Sequence, residues 1–427
     1  MTLAKKLINA SYQQLRLLGS KHPIPVRQLP PGARLQLRLL QLRLTDQRRF
    51  YYSLLHGRVP PTEHHSERIY ILGVGNLGKL IAHSIKQVAP EQPITLLFRS
   101  QDRLDSWKAA GGIISCKTPE GEWQETAGYD AENSKPNSAS IKYLIITTKA
   151  QHTVDALNQI KLRLVQKSQL LLVQNGMGSH IDAIDALGDP LWKGTAFWVG
   201  VCYAGVTAHP EKPFAIEHRS AGSLLLGRLR GLSSQDNSNV MIKRLLETPL
   251  QAEVEENLRT MHNTLLRKLG VNAIINPLTA VYNCRRNGEL FDLPKAHILS
   301  GALASEISPV LQSLVAPHER DQYSNGALIG RARHAAQETF DNTSSMLQDV
   351  MAKRETEIDY INGYIVRQGQ RLDIPTPLNE ILCDMVTTNK SITKGNFKSH
   401  FPGSWLKTTD PKGLLTWSYK VPYPTAN

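Results

Sequence analysis

RIYILGVGNLGKLIAHSI, residues 68–85, sets a short apolar run against a glycine-rich turn and a helix-periodic stretch. Ile69, Tyr70, Ile71 and Leu72 read as a buried strand, and Leu77, Leu80, Ile81 and Ile85 recur on one helical face. Between them Gly73, Gly75 and Gly78 form GxGxxG. In a strand–turn–helix context each glycine has a physical task. Gly73 permits the tight turn. Gly75 removes a side chain where a pyrophosphate must approach the backbone, and Gly78 lets the helix pack close to the strand. Asn76 and Leu77 open the helix, where unpaired N–H groups and the helix dipole favour an anion. The stretch predicts an α/β fold with a Rossmann-like dinucleotide-binding domain.

Working outward, ITLLF (94–98) predicts the second strand, and Arg99 closes it. An acid at this place would bind ribose hydroxyls, whereas a guanidinium suits a 2′-phosphate. Arg99 therefore points to NADP(H) over NAD(H). YLIITT (143–148) and LLLV (170–173) predict further buried strands. Their carboxyl ends carry Lys149 and the run Gln174-Asn175-Gly176-Met177-Gly178, placed to face a ligand crevice. KTPEGEWQETAGYDAENSKPNSAS (117–140) is polar and punctuated by glycine and proline, and reads as a surface excursion.

A chain of 427 residues exceeds one ordinary domain, and its 41% hydrophobic share supports packed cores and excludes global disorder. No apolar run approaches the roughly 18 residues of a membrane helix. Cys116, Cys202, Cys284 and Cys383 are scattered with no CxxC pair, which argues against a disulfide framework or a structural zinc site. No metal site is expected.

The charge is concentrated at one end. Residues 1–68 hold twelve Lys/Arg against Asp46, Glu63 and Glu67, a surplus of 12 − 3 = +9 out of +13 for the chain. Leu3, Leu7, Ile8, Tyr12, Leu15 and Leu18 cluster on one helical face, away from Lys5, Lys6 and Arg16. An Arg-rich, acid-poor amphipathic start is the composition of a mitochondrial targeting segment, with a cytoplasmic basic tail as the alternative. PIPVRQLPPG (23–32) and Pro60-Pro61 break regularity, so 1–66 reads as leader plus linker. The interleaved cations of RLQLRLLQLRL (34–44) also offer a generic attraction to RNA or anionic lipid.

From about residue 252 the periodicity turns helical. In MHNTLLRKLGVNAIINPLTAVYN (261–283) one stripe runs Met261, Leu265, Lys268, Asn272 and Asn276. It starts apolar and then presents an ammonium and two amides, which are costly to bury unpartnered. Three such groups in register, beside an Asn-Pro, favour a polar cleft over a solvated face. Pro277 is expected to bend or interrupt the helix just after Asn276. A later helix, expected over about 346–370, carries Leu347, Val350, Ile358, Ile361 and Ile365. Glu357 lies at the edge of that stripe and needs a cationic partner or a site to serve. Ser345-x-x-Gln348 fits a capping box at its start, and equally a ligand-binding hydroxyl.

GVGNLG (73–78), TTKA (147–150), QNGMG (174–178), KLGVNAIINPLTA (268–280), NGEL (287–290) and SSMLQDVMAKRETEIDYING (344–363) together resemble the ketopantoate reductase (2-dehydropantoate 2-reductase) family. The likeness runs over about 68–395. It implies an NADP-binding Rossmann-like domain (67–250) and an all-helical substrate domain (251–395), with NADPH and ketopantoate in the cleft between them. The leader 1–66 and an extension 396–427 fall outside it, and stretches near 117–140 and 228–255 look like insertions.

The resemblance also implies roles, residue by residue. Lys268 would be the general acid. Asn272, Asn276, Ser345 and Glu357 would hold substrate, with Glu357 also serving catalysis. Lys149 would lie on the nicotinamide side, Asn175 between cofactor and substrate, and Arg99 at the 2′-phosphate. The implied activity is NADPH-dependent reduction of ketopantoate to pantoate, on the way to pantothenate and coenzyme A. Another 2-oxo acid offers the same carboxylate–ketone handle. The alternative from a different class is a mitochondrial RNA- or translation-associated protein that kept the fold. A binding module has no use for the lysine–amide–acid set, which argues against nucleic acid as partner. Monomer and homodimer both stay open, and Trp405, Leu414, Leu415, Trp417 and Tyr419 suggest that the tail docks.

One conflict follows from helix geometry. Ser345 and Glu357 are twelve residues apart, about 18 Å along a straight helix. Either Ser345 lies in a loop that folds back, or one of the two roles fails.

Overall fold

β1 (Ile69–Leu72) is buried along its whole length and leads through the glycine turn into α1 (Asn76–Val88) and β2 (Ile94–Phe98). β1 and β2 lie parallel, with Ile69 opposite Ile94 and Leu72 opposite Leu97. This computed structural model describes residues 67–134, 139–188, 195–230, 239–393, 397–401, 406–408 and 415–417. The basic leader, and what was expected of it, lies outside the described residues, as do Trp405, Leu414 and Tyr419.

α2 (Gln101–Ala109) follows, capped by the Ser100 side chain, and then β3 (Ile114–Lys117), β4 (Trp123–Thr126) and β5 (Asp130–Asn133). The chain next crosses to the other side of β1. β6 (Ile141–Ile146) pairs with β1 in parallel, followed by α3 (Thr153–Ile160), β7 (Leu164–Val173), α4 (Ser179–Leu187) and β8 (Ala196–Cys202). β9 (Gly205–Ala208), β10 (Ala215–Ser220), β11 (Leu224–Arg230), α5 (Val240–Glu247) and β12 (Ala252–Glu255) complete this half.

The main sheet has the order β12-β11-β8-β7-β6-β1-β2-β5, and only the β11–β8 pairing is antiparallel. Strand order reverses between β1 and β6, so the crevice outside their carboxyl ends is where such a sheet takes a ligand. A second sheet, β4-β3-β10-β9, packs on α1. The surface excursion expected at 117–140 is thus partly structural. It supplies β4 to the second sheet and β5 to the edge of the main one, with Thr95 opposite Asp130. Its polar residues concealed this, because strand pairing is made by the backbone. The stretch near 228–255 likewise supplies α5 and the edge strand β12, so the sheet passes the expected boundary at 250.

The second half is helical: α6 (Leu258–Tyr282), α7 (Pro294–Ser313), α8 (Asn325–Glu338), α9 (Ser345–Met351), α10 (Ile358–Leu372), α11 (Pro377–Thr387) and the short α12 (Phe397–His400). None of the described helices is long and apolar enough to cross a membrane. β13 (Leu406–Thr408) and β14 (Leu415–Trp417) form an antiparallel pair, and β14 lies against α7.

Two expectations are corrected here. Of the bend or interruption expected at Pro277, the interruption does not occur: α6 runs on through it. Proline removes the N–H that would bond the carbonyl four residues earlier. That carbonyl, on Ala273, instead accepts from Asn362 Nδ2 at 2.9 Å. Asn362 also donates to Asn379 Oδ1 at 3.0 Å, and Asn379 donates in turn to the buried Glu306. The orphaned acceptor is therefore satisfied inside the core, and the helix continues. Second, the single helix expected over 346–370 is two, α9 and α10. Residues 352–357 separate them, and Lys353 adopts a left-handed φ of +52°. The apolar stripe is still buried at Leu347, Ile358, Ile361 and Ile365, because both pieces pack on the same core.

Candidate active site

The three motif glycines are required for different reasons. Gly73 has φ +103°, and a Cβ there would stand 2.5 Å from the Thr148 backbone nitrogen. A Cβ on Gly78 would stand 2.6 Å from Thr147 Oγ1 and overlap the Gly73 carbonyl. Thr147 Oγ1 itself donates to that carbonyl at 2.6 Å, tying the ends of β1 and β6 together. Gly75 caps α1 with ordinary extended backbone, and a Cβ there meets nothing within 4 Å. Its missing side chain leaves open space in front of the helix start, and the first turn of α1 holds no acid. Such a cradle fits a pyrophosphate, received by the N–H groups of Asn76 and Leu77. Arg99 is exposed at the end of β2, beside this turn in the sheet order.

On the other side of β1, the ends of β6 and β7 meet the helical half. Gln174 Nε2 donates to the Thr148 carbonyl at 2.8 Å and to Thr153 Oγ1 at 2.5 Å. Gly176 lies so close to the first turn of α10 that a Cβ would collide with the Tyr360 backbone, and Met177 N–H donates to the Tyr360 carbonyl at 2.8 Å. Asn175, between these two, donates from Nδ2 to Glu357 Oε2 at 3.3 Å. The other oxygen, Oε1, accepts from the Ala150 backbone N–H at 3.1 Å. Glu357 thus sits half-buried at the cap of α10, held by two donors from the sheet half. Of the two expectations, a cationic partner or a site to serve, the first is not met by direct contact among the described residues. Burial pushes its pKa above the usual carboxylate value and Asp349 adds to that rise, while the two donors and Lys149 oppose it.

Lys149 does not point freely into the crevice. It forms an ion pair with Asp349 and donates to the Glu355 carbonyl at 2.9 Å. Asp349 is buried and also takes Arg354, at 3.1 Å. Asp349 is a site residue that sequence alone did not single out, although an acid beside the apolar positions Leu347 and Val350 is the same kind of signal that marks Glu357.

Lys268 comes from α6, whose first turn lies on the sheet through Met261, packed with Val199 and Val201. One face further along the same helix, its Nζ donates to the Cys202 carbonyl at the end of β8, at 2.5 Å. The ammonium also stands 5.5 Å from the centroid of the Tyr203 ring. Burial lowers its pKa from the ordinary lysine value, while Cys202 and the Glu357 carboxylate act the other way. Lys268 stands at the end of β8 and Glu357 at the end of its parallel neighbour β7, and the two form no ion pair among the described residues. Asn272 is half-buried and Asn276 buried on the following turns, and neither side-chain amide has a hydrogen-bond partner among the described residues.

Ser345 does not join the group. It opens α9 with its side chain exposed. The cap is Ser344, whose Oγ accepts from Leu347 N–H at 3.2 Å and shares a hydrogen with Thr279 Oγ1 at 2.6 Å. The capping box expected at Ser345 and Gln348 is displaced by one residue, and Gln348 instead donates to the Thr343 carbonyl at 2.9 Å. Because α9 and α10 are separate, the straight-helix distance between Ser345 and Glu357 no longer applies.

Residues 69–231 match the family described as Ketopantoate reductase PanE/ApbA, and residues 260–390 match Ketopantoate reductase PanE/ApbA C terminal. A 2-dehydropantoate 2-reductase of Shigella flexneri is 33% identical over 257 residues, 59% of this chain and 76% of that protein. A probable 2-dehydropantoate 2-reductase of Schizosaccharomyces pombe is 27% identical over 361 residues, 78% of this chain and 98% of that protein. Among solved structures, a ternary complex of D-mandelate dehydrogenase with NADH and anilino(oxo)acetate superposes with a TM-score of 0.62 at 21% identity, covering 75% of this chain and 98% of that one. A probable 2-dehydropantoate 2-reductase from Bacillus subtilis gives 0.55 at 24% identity, covering 76% and 100%. At these identities the structural likeness is one of fold.

Proposed function

Because the chain belongs to the ketopantoate reductase family, an oxidoreductase family, we propose that it reduces ketopantoate to pantoate with NADPH, a step towards pantothenate and coenzyme A. The observation that carries this reading is that Lys268 reaches the carboxyl end of β8, while Asn175 and Glu357 meet at the carboxyl end of β7, its parallel neighbour.

The open cradle at Gly75 and the acid-free start of α1 fit a dinucleotide. Gly73, Gly75, Asn76, Leu77 and Gly78 would hold its pyrophosphate, Arg99 a 2′-phosphate, and Lys149 and Asn175 its nicotinamide end. A reduced nicotinamide supplies hydride when bound. The chain's own residues handle charge and proton. As the ketone is reduced, negative charge grows on its oxygen, and the Lys268 ammonium stabilises that charge and delivers the proton. A buried ammonium loses its proton more readily than an exposed one, which suits an acid that must transfer at neutral pH. Glu357, ionised, keeps Lys268 charged before the step. The free amides of Asn272 and Asn276 would take the substrate's carboxylate and hydroxyl groups and fix the reacting geometry. Ser345 would have to turn inward to join them. The leader, residues 1–66, would direct the protein to mitochondria; a fluorescent reporter carrying those residues that stays in the cytoplasm would refute that placement.

The test is oxidation of NADPH by purified protein offered a panel of 2-oxo acids. Ketopantoate is expected to be the best substrate, and Lys268→Ala to abolish turnover while NADPH still binds. No turnover with any 2-oxo acid, or normal turnover by Lys268→Ala, would overturn the reading.

A further inference from the structure

α1 carries a cation that the chemistry above leaves unused. Lys79 follows the last motif glycine and is only 6% exposed. Its ammonium has no hydrogen bond and no ion pair among the described residues. Its stem is buried and its ammonium, though not sealed from water, has no protein partner among the described residues, so the charge is only partly solvated, which is costly. The charged group that acts on it makes this worse. Arg103, in the first turn of α2, is a second cation, and together with the larger effect of burial it lowers the Lys79 pKa to about 8. No carboxylate enters that balance. Asp102, in the same turn as Arg103, is exposed and makes no ion pair among the described residues.

The two cations are placed by defined structure. Arg103 lies with its guanidinium 5.6 Å from the Phe214 ring centroid, which limits where its long side chain can go. Its backbone N–H is taken by Ser100 Oγ at 3.4 Å, the cap of α2. Ser100 directly follows Arg99 at the carboxyl end of β2. Long side chains on a helix lean towards its N-terminus, so Lys79 leans to the end of α1 that carries the glycine turn. One strand end and two helix starts thus bring three cations to the β2 side of that turn.

Like charges held together with no acid between them form a site that an anion completes. A compact, doubly charged anion satisfies it best, and a phosphomonoester is that chemistry. In a dinucleotide fold the adenosine ribose lies at the end of the second strand. We propose that Lys79 and Arg103 join Arg99 as the receptor for the adenosine 2′-phosphate, so that both are specificity residues for NADP over NAD. The inference rests on the cofactor reading given above and adds to it a buried lysine from α1.

Titration calorimetry of the full chain with adenosine 2′,5′-bisphosphate and with adenosine 5′-monophosphate reads the phosphate without turnover. The wild type is expected to favour the bisphosphate by about tenfold or more. Lys79→Met keeps the buried stem and removes the charge; Arg103→Gln changes an exposed side chain. Each should cut the preference by roughly fivefold or more and leave the monophosphate affinity unchanged. A wild type with no preference overturns the NADPH reading and this receptor with it. A wild-type preference that Arg99→Ala abolishes, but that both other variants retain, overturns the receptor alone. Should Lys79→Met fail to fold, the Arg103→Gln result decides.

Discussion

Replacing Gly75 with alanine separates the binding role of the glycine turn from its structural role. Gly75 has φ −81° and ψ −165°, a conformation that alanine adopts freely, and the added methyl meets nothing in the chain within 4 Å. Two small effects on stability oppose each other. Alanine is a poorer helix cap than glycine, which costs several tenths of a kcal/mol to about 1 kcal/mol. It also restricts the unfolded chain, which returns roughly 0.4–1 kcal/mol. The net change should lie within about 1 kcal/mol of zero, and the melting temperature within about 4 °C of the wild type. The effect on binding is much larger. The methyl fills the space through which a pyrophosphate reaches the N–H groups of Asn76 and Leu77. Losing two hydrogen bonds to a charged group, at about 1.5–3 kcal/mol each, weakens NADPH by roughly a hundredfold or more.

Gly78→Ala is the control with the opposite signature. Its methyl has no room between Thr147 Oγ1 and the Gly73 carbonyl, so α1 must move off β1, at about 1–3 kcal/mol or more. Thermal melting and nicotinamide fluorescence titration distinguish the two. A Gly75→Ala protein that binds NADPH like the wild type would refute the cradle. One that melts as low as Gly78→Ala would refute the claim that the space is open.

Three further outcomes are expected. Gly176→Ala, at φ +81° against the Tyr360 backbone, should cost about 2–4 kcal/mol in denaturant unfolding. It should also lower kcat/KM, because the displaced neighbour is Asn175; wild-type values in both would show the seam to be loose. The pH profile of kcat/KM should be bell-shaped. Its alkaline limb should lie below the ordinary lysine value, since the proposed acid is the Lys268 ammonium and burial lowers its pKa. Its acid limb should lie above the ordinary carboxylate value, since the proposed mechanism uses ionised Glu357, whose pKa burial raises. Glu357→Gln should remove the acid limb and shift the alkaline one lower, and an unchanged profile would take Glu357 out of the mechanism. Asn362→Leu should destabilise the fold by about 2–4 kcal/mol by orphaning the Ala273 carbonyl and Asn379. Pro277→Ala restores the missing N–H, so it should recover about 1 kcal/mol in that background, and additive losses would refute the compensation.

The parts of the molecule that could be read in advance are those where chemistry and backbone periodicity coincide. GxGxxG after an apolar strand fixed the turn, because each glycine answers a steric demand made by its immediate neighbours. Lys268, Asn272 and Asn276 announced themselves as polar groups on an apolar stripe. What escaped is non-local. The polar 123–133 segment gives no sign of strand pairing, since its partners β2 and β3 are chosen by backbone geometry. Pro277 predicts a bent or interrupted helix, and no local signal shows that Asn362, eighty-five residues later, supplies the missing donor to the Ala273 carbonyl. The break between α9 and α10 was hidden because both fragments keep their apolar residues on one core. The shift of the cap from Ser345 to Ser344 turns on a hydroxyl contact with Thr279 that no spacing rule contains.

The Pro277 arrangement also bears on the site. α6 does two jobs: its first turns rest on the sheet through Met261, and its later turns are buried among the helices through Ala273, Ile274 and Leu278. Lys268 stands at the crossover, which is why it reaches the end of β8. Asn362, the residue that replaces the missing N–H, belongs to α10, and Glu357 caps that same helix. The hydrogen bond from Asn362 to Ala273 therefore pins α10 to α6 one turn beyond Lys268. It helps set the spacing between the helix that carries Lys268, Asn272 and Asn276 and the helix that Glu357 caps. A regular α6 with alanine at 277 would bond its own carbonyl and leave that spacing to apolar packing alone, which tolerates sliding. The proline thus turns a helix defect into a fixed strut between the two polar faces of the cleft.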